Sequence, residues 1–399
     1  MIDQHIWPQE PVRRDGTIVM AAALELQGRE RTTLWYSVPE ELEVALARSA
    51  DPFVIGALHL LMRSGGGAHV HGEVSPSLLR NLEDYQSVWS TWKQGLSVVR
   101  LQADSEREVA ISAPRETAVV AFSGGIDSSF TAHRHTRGYG PRVPYSPTAG
   151  VMVHGFDIPL SEPEAFASAS ARARVMLSSL GLELIPVATN FRALVADWSH
   201  SFGAAIASCL MLLSSRFEAG LIGQGLTFGE MCLLHEGSNP LTDPLLSSGT
   251  FRVVPDGAAF TRAEKIDSMS DWKEFLEHAR VCWEGPERDR NCCVCEKCVR
   301  NILTFRALGL GLPPCFHSDV DDAQVKRLGM GAGLLPEIRY GELRDLASAR
   351  GVEGRWLTLI DRKLAALRRA RRHKAVRRIR RIPHHFKRAL LHLTPGRMQ

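Results

Sequence analysis

The sequence predicts an α/β protein: a parallel sheet with helices on both faces, an α+β accessory region before it, and a cysteine-rich segment and a basic helix after it. Three observations carry this. After Pro114, short apolar runs alternate with helix-length ones. The first such run ends in Ser123-Gly124-Gly125-Ile126-Asp127-Ser128-Ser129, a glycine turn that feeds a helix. Four of the eight cysteines fall within seven positions, at 292, 293, 295 and 298.

Residues 1–115 read as an accessory region. Strand-like runs occupy 17–26 and 32–38, helix-like ones occupy 52–63 and 77–93, and Gly65-Gly66-Gly67 marks a turn. Residues 116–315 form the central α/β domain. Its strands are expected at 117–122, 150–154, 183–187 and 219–223, and its helices at 127–136, 162–179 and 202–216. A further helix is expected at 299–308, then an extension over 316–355. Residues 356–399 form a tail whose helix carries Leu357, Ile360, Leu364 and Leu367 on one side and stops before Pro383.

In an open parallel sheet ligands gather beyond the carboxyl ends of the strands, where the glycine turn lies. Glycine allows positive φ and close backbone approach, successive N–H groups form a nest, and the helix N-terminus adds partial positive charge. A phosphate chain suits such a place. The lysine of the G-x-x-x-x-G-K-[ST] loop is absent, so this is a different phosphate loop. The run AVVAFSGGIDSS resembles the PP-loop of N-type ATP pyrophosphatases, which split ATP between its α and β phosphates. That resemblance implies an adenine nucleotide alpha-hydrolase-like fold. It implies that Ser123, Gly124, Gly125, Ser128 and Ser129 cradle pyrophosphate, and that Asp127 holds Mg²⁺ or shapes the loop; Asp127 and Ser129 are the candidate catalytic residues. His154, just past the second strand, is a candidate nucleotide contact. Thr189-Asn190 and Gly223-Gln224-Gly225 fall on the same rim, and Asn239, Thr242 and Asp243 are candidates to read an acyl substrate.

Cys282, Cys292, Cys295 and Cys298 have the spacing C-x9-C-x2-C-x2-C, which suits four-thiolate zinc in a closed structural site. Cys293 could replace Cys292, and an iron–sulfur cluster is the competing occupant. A PP-loop followed by four such cysteines is similar to the 7-cyano-7-deazaguanine synthases, in which ATP drives conversion of a carboxylate to an amide and then a nitrile. Thr261-Arg262-Ala263-Glu264-Lys265 matches that family's helix start, and Thr261 with Glu264 also reads as a capping box. The chain departs from the family in its 115 leading residues and in the segment 237–244, which stands where the family's substrate segment is expected.

The net charge of +4 is uneven: residues 361–399 hold 14 Lys and Arg against one acid, which leaves the body acidic. Such a tail suits RNA, DNA, an anionic membrane surface, or the protein's own acidic body. With no long apolar run and clustered cysteines, a cytoplasmic protein is expected. The expected ligands are ATP, Mg²⁺ and Zn²⁺, with a small-molecule or protein carboxylate as acceptor and a second copy of the chain as a partner. The leading expectation is an ATP-dependent carbon–nitrogen ligase; the alternatives are a tRNA-modifying PP-loop enzyme and a non-catalytic nucleotide-sensing or nucleic-acid-binding scaffold.

Overall fold

A computed structural model describes residues 2–110, 114–140, 142, 145–331 and 334–380, the side chains of 374–380 excepted. In chain order the elements are β1 Ile2–Pro8, β2 Val12–Arg14, β3 Thr17–Glu25, β4 Thr32–Pro39, α1 Asp51–Ser64, β5 Gly67–Val74, α2 Pro76–Trp92, β6 Arg100–Glu106 and β7 Ala118–Ala121. Then follow α3 Ile126–Arg137, β8 Pro147–His154, α4 Pro163–Ser179, β9 Glu183–Thr189, α5 Phe191–Leu194, α6 Trp198–Met211, β10 Ala219–Gly223, α7 Phe228–Met231 and β11 Arg252–Asp256. The rest is helical: α8 Arg262–Ser268, α9 Lys273–His278, α10 Glu296–Ala307, α11 Asp322–Arg327, α12 Leu334–Ala349 and α13 Arg355–Arg380.

The expected α/β class is present, as one mixed sheet in the order β11-β10-β7-β8-β9-β4-β3-β1-β5-β6, with β2 on β3. The five strands from β11 to β9 in this order are all parallel. Chain order runs one way from β7 through β8 to β9 and the other way from β7 through β10 to β11. The reversal between β7 and β10 opens a crevice at their carboxyl ends, the place where doubly wound sheets bind ligands.

The N-terminal strands extend this same sheet. β4 runs antiparallel to β9 through Tyr36–Thr189 and Ser37–Ala188. The Asn190 side chain reinforces the seam, accepting from the Trp35 N–H and donating to the Thr33 carbonyl. Across it, the Tyr36 hydroxyl lies 3.0 Å from Ser208 Oγ. α1 packs on α6, and both are buried because they cover the same face of the joined sheet. Their apolar residues belong to one core running from Ile6 to Val253.

A second core lies on the opposite face. It joins Val120 and Phe130 to the apolar side of α10 and to the tail residues Trp356, Leu359, Ile360 and Leu364. No helix among the described residues is long and apolar enough to cross a membrane.

Candidate functional site

β7 is four small and β-branched residues, three of them fully buried, because neighbours pack on both of its faces. The chain leaves it through Ser123 and turns at Gly124, whose φ of 74° explains the glycine. Gly125 then begins α3. Two serines tie the loop together: Ser128 Oγ accepts from the Ser123 N–H at 3.2 Å and donates to the Gly125 carbonyl at 3.3 Å. The Arg280 N–H donates to the Gly124 carbonyl at 2.8 Å. From the other side of the crevice, β10 presses so close that a Cβ on Gly223 would lie 2.6 Å from the Asp127 carbonyl oxygen.

Asp127 points toward α8. The Thr261–Glu264 capping box expected from sequence is present, and it starts α8 so that two successive cations face the loop. Arg262 reaches one Asp127 oxygen at 2.9 Å and Lys265 the other at 3.0 Å. Lys265 is 1% exposed and also donates to the Gln224 carbonyl. Burial alone pushes the Asp127 carboxyl up; the adjacent Arg262 and Lys265 charges outweigh it and hold it at about 2.

Above the loop lies a cavity of 470 Å³ at the ends of β7, β8 and β10. Ser123, Gly125, Asp127 and Ser128 line its floor. Six cations reach it, Arg192, Arg262, Arg280, Lys297, Arg300 and Arg339, against three acids, Asp127, Asp157 and Glu236. Such a wall attracts a polyanion. The rest of the cavity is flat and apolar, with Phe156, Trp198, Phe202 and Trp283. Arg280 Nε, in this lining, is buried with no hydrogen-bond partner among the described residues, so it can still take an acceptor.

The cysteine segment supports the cationic wall. Cys282 Sγ lies 3.4 Å from Cys292 Sγ and 3.6 Å from Cys295 Sγ, and Cys292 Sγ lies 3.9 Å from Cys298 Sγ. Four sulfurs about 2.3 Å from one tetrahedral zinc stand about 3.8 Å apart, so the set fits a single ion. These spacings are too close to enclose a multi-iron cluster. Cys293 is excluded from the set, because its φ of 59° turns its thiol toward the Asn291 carbonyl and His317 Nδ1. The four residues Cys282, Cys292, Cys295 and Cys298 could therefore hold a metal such as zinc. Cys295 caps α10, its sulfur accepting from the Cys298 N–H, which fixes the helix bearing Lys297 and Arg300. Arg280 stands two residues before Cys282.

Other sequence candidates have different surroundings. His154 lies outside the cavity lining; its Nε2 is 2.9 Å from the Pro159 carbonyl and its ring stacks on Phe166. Ser129 lies fully buried behind the loop. Asn239 and Asp243 are taken up in a turn, where Asn239 Oδ1 accepts from the Leu241 and Thr242 N–H groups and Asp243 accepts from Ser238 and Gln224. Thr242 is fully buried. Of the cavity cations, Arg192, Arg280, Lys297 and Arg339 escaped sequence reasoning, because nothing in the local sequence joins them to the loop. The nearness of Arg280 and Lys297 to the cysteines was the one local signal.

In the tail helix, Arg368 and Arg371 meet Glu337 of α12 at 2.9 and 3.4 Å. The arginines beyond 380 lie outside the described residues. Comparison with known protein families, curated proteins and solved structures gave no match.

Proposed function

We propose that the chain is an ATP-dependent enzyme of the PP-loop kind, which joins the α phosphate of ATP to a carboxylate, releases pyrophosphate, and passes the acyl group to ammonia or another amine. The observation that carries this is the Ser123–Ser129 loop under a cationic wall, at the point where the strand order reverses. The backbone of residues 123–125 and the start of α3 receive the β and γ phosphates. Arg280, Lys297 and Arg300 take up charge on the departing pyrophosphate. The apolar side receives a planar ring, and Phe156, Trp198 and Trp283 supply its flat faces.

Asp127 serves as a positioning residue. Both its oxygens are held by cations, so it does not fit the role of Mg²⁺ ligand and instead locks α8 to the loop. Any Mg²⁺ enters as part of the ATP substrate. In the reaction a carboxylate oxygen attacks the α phosphorus as the bond to the β-phosphate oxygen breaks; the amine then attacks the acyl carbon and AMP leaves. The site supplies alignment and charge stabilisation. A zinc ion on the four cysteines would be structural, since four thiolates leave it no open position.

The pairing of Arg368 and Arg371 with Glu337 favours docking of the tail on its own body over a nucleic-acid role for those two residues. The test of the site is ATP titration calorimetry on the full chain with Gly125→Val, which places a branched side chain on the cavity floor. Competition by pyrophosphate and at least about tenfold weaker ATP binding in the variant are expected, a difference of roughly 1.4 kcal/mol. Unchanged affinity in a folded variant would remove the loop from the phosphate site.

A further inference from the structure

Far from this crevice, at the other end of the sheet, two of three neighbouring parallel strands carry histidines on one face. β1, β5 and β6 are neighbours, and His5 stands beside His69 in register. His69 and His71 are two apart on β5, so both project from the same face, while Val70 between them is buried on the opposite one. Asp104 of β6 reaches this face from the edge. Its Oδ1 lies 2.7 Å from His69 Nε2 and 3.9 Å from His71 Nδ1. Two nitrogens and a carboxylate oxygen thus converge on one point.

We infer that His69, His71 and Asp104 form a second metal site, which takes a divalent first-row transition cation such as zinc and leaves at least one coordination position for water. The donor set supports this class: neutral imidazoles and a carboxylate bind zinc-like ions, whereas calcium and magnesium prefer oxygen alone. Ligands about 2.0–2.1 Å from one tetrahedral ion stand roughly 3.3 Å apart, and the observed 2.7 and 3.9 Å bracket that value. The surroundings also resemble a metal site's outer shell. His71 Nε2 lies 3.0 Å from His5 Nδ1; with His71 as the donor in this hydrogen bond, its Nδ1 lone pair is left free on the side of Asp104. The His71 ring is fixed by Trp7, stacked 3.3 Å away between centroids and 3° from parallel. His5 is therefore a positioning residue. The site is independent of the nucleotide reading, because it shares no residue with the crevice.

Cobalt(II) titration of the full-length protein, with zinc already on its cysteines, tests this by visible absorption. One added equivalent should saturate weak d–d bands without thiolate charge transfer. His69→Ala and His71→Ala should abolish them, and His5→Ala should weaken binding about 10–100-fold. Asp104→Asn, at an exposed edge position, should also lose them while keeping the circular dichroism of the parent. Absence of the bands in the parent protein, thiolate-type bands alone, or bands that persist in folded His69→Ala and Asp104→Asn would overturn the assignment, leaving an ordinary His–Asp ion pair.

Discussion

Asp127 is the residue on which the loop turns energetically. Its carboxyl is held at about 2, below the ordinary 3.8, by Arg262 and Lys265 despite burial. A depressed carboxylate contributes stability that is complete above the unfolded value and is lost as pH falls through the folded one. The wild-type protein should therefore lose on the order of 2 kcal/mol between about pH 4 and pH 2 from this group. Asp127→Asn should lack that part of the acid slope and be less stable at pH 7, since it leaves Lys265 buried without its counter-charge. Denaturant melts across that pH range would show it, and an identical slope in the variant would refute it. At this scale the sequence was legible where geometry is local, as in the turn at Ser123–Ser129 and the clustering of the four cysteines. It was silent where pairing is distant: Arg262 and Lys265 read only as part of a helix start, because their partner lies about 135 residues upstream.

Among elements, β10 and α3 illustrate how tightly the crevice is built. Gly223→Ala would drive a methyl group against the Asp127 carbonyl and the Ser128 N–H, both backbone atoms that cannot turn aside. The expected cost is about 1–3 kcal/mol of stability together with loss of ATP binding. A thermal melt and calorimetry on the same sample would check both, and full nucleotide affinity would count against the placement of the loop. The central strands were readable because burial on both faces makes them continuous apolar runs. β5 was hidden because it starts in the glycine run and then bears His69, His71 and Gly72, a composition that mimics a loop. β11 was hidden by Pro255, which an outermost strand tolerates. The tail helix carries the expected stripe, with Ile360 and Leu364 buried and Leu357 and Leu367 partly buried against the same core, and Trp356 and Leu359 widen it.

On the scale of the molecule, the first 115 residues complete the sheet. They cover β9 with β4 and α6 with α1. A fragment beginning at residue 116 would expose an unpaired strand edge beside a large apolar face, a combination that promotes aggregation. It should fail to give a cooperative melt, and a soluble, cooperatively unfolding fragment would contradict the core that α1 and α6 share. The joining was not legible in the sequence, because an antiparallel contact between β4 and β9 leaves no local mark. The cysteine segment has the same global character: it holds the helix that carries Lys297 and Arg300, so Cys298→Ser should reduce both bound zinc and ATP affinity. On the proposed reading, these features serve one chemical event at the loop. The most direct test is to incubate the protein with α-labelled ATP, ammonia and a panel of carboxylates, heteroaromatic acids included, and to identify the labelled product. Carboxylate-dependent AMP with an equal amount of pyrophosphate is predicted; ADP with phosphate, or no turnover across the panel, would contradict the account.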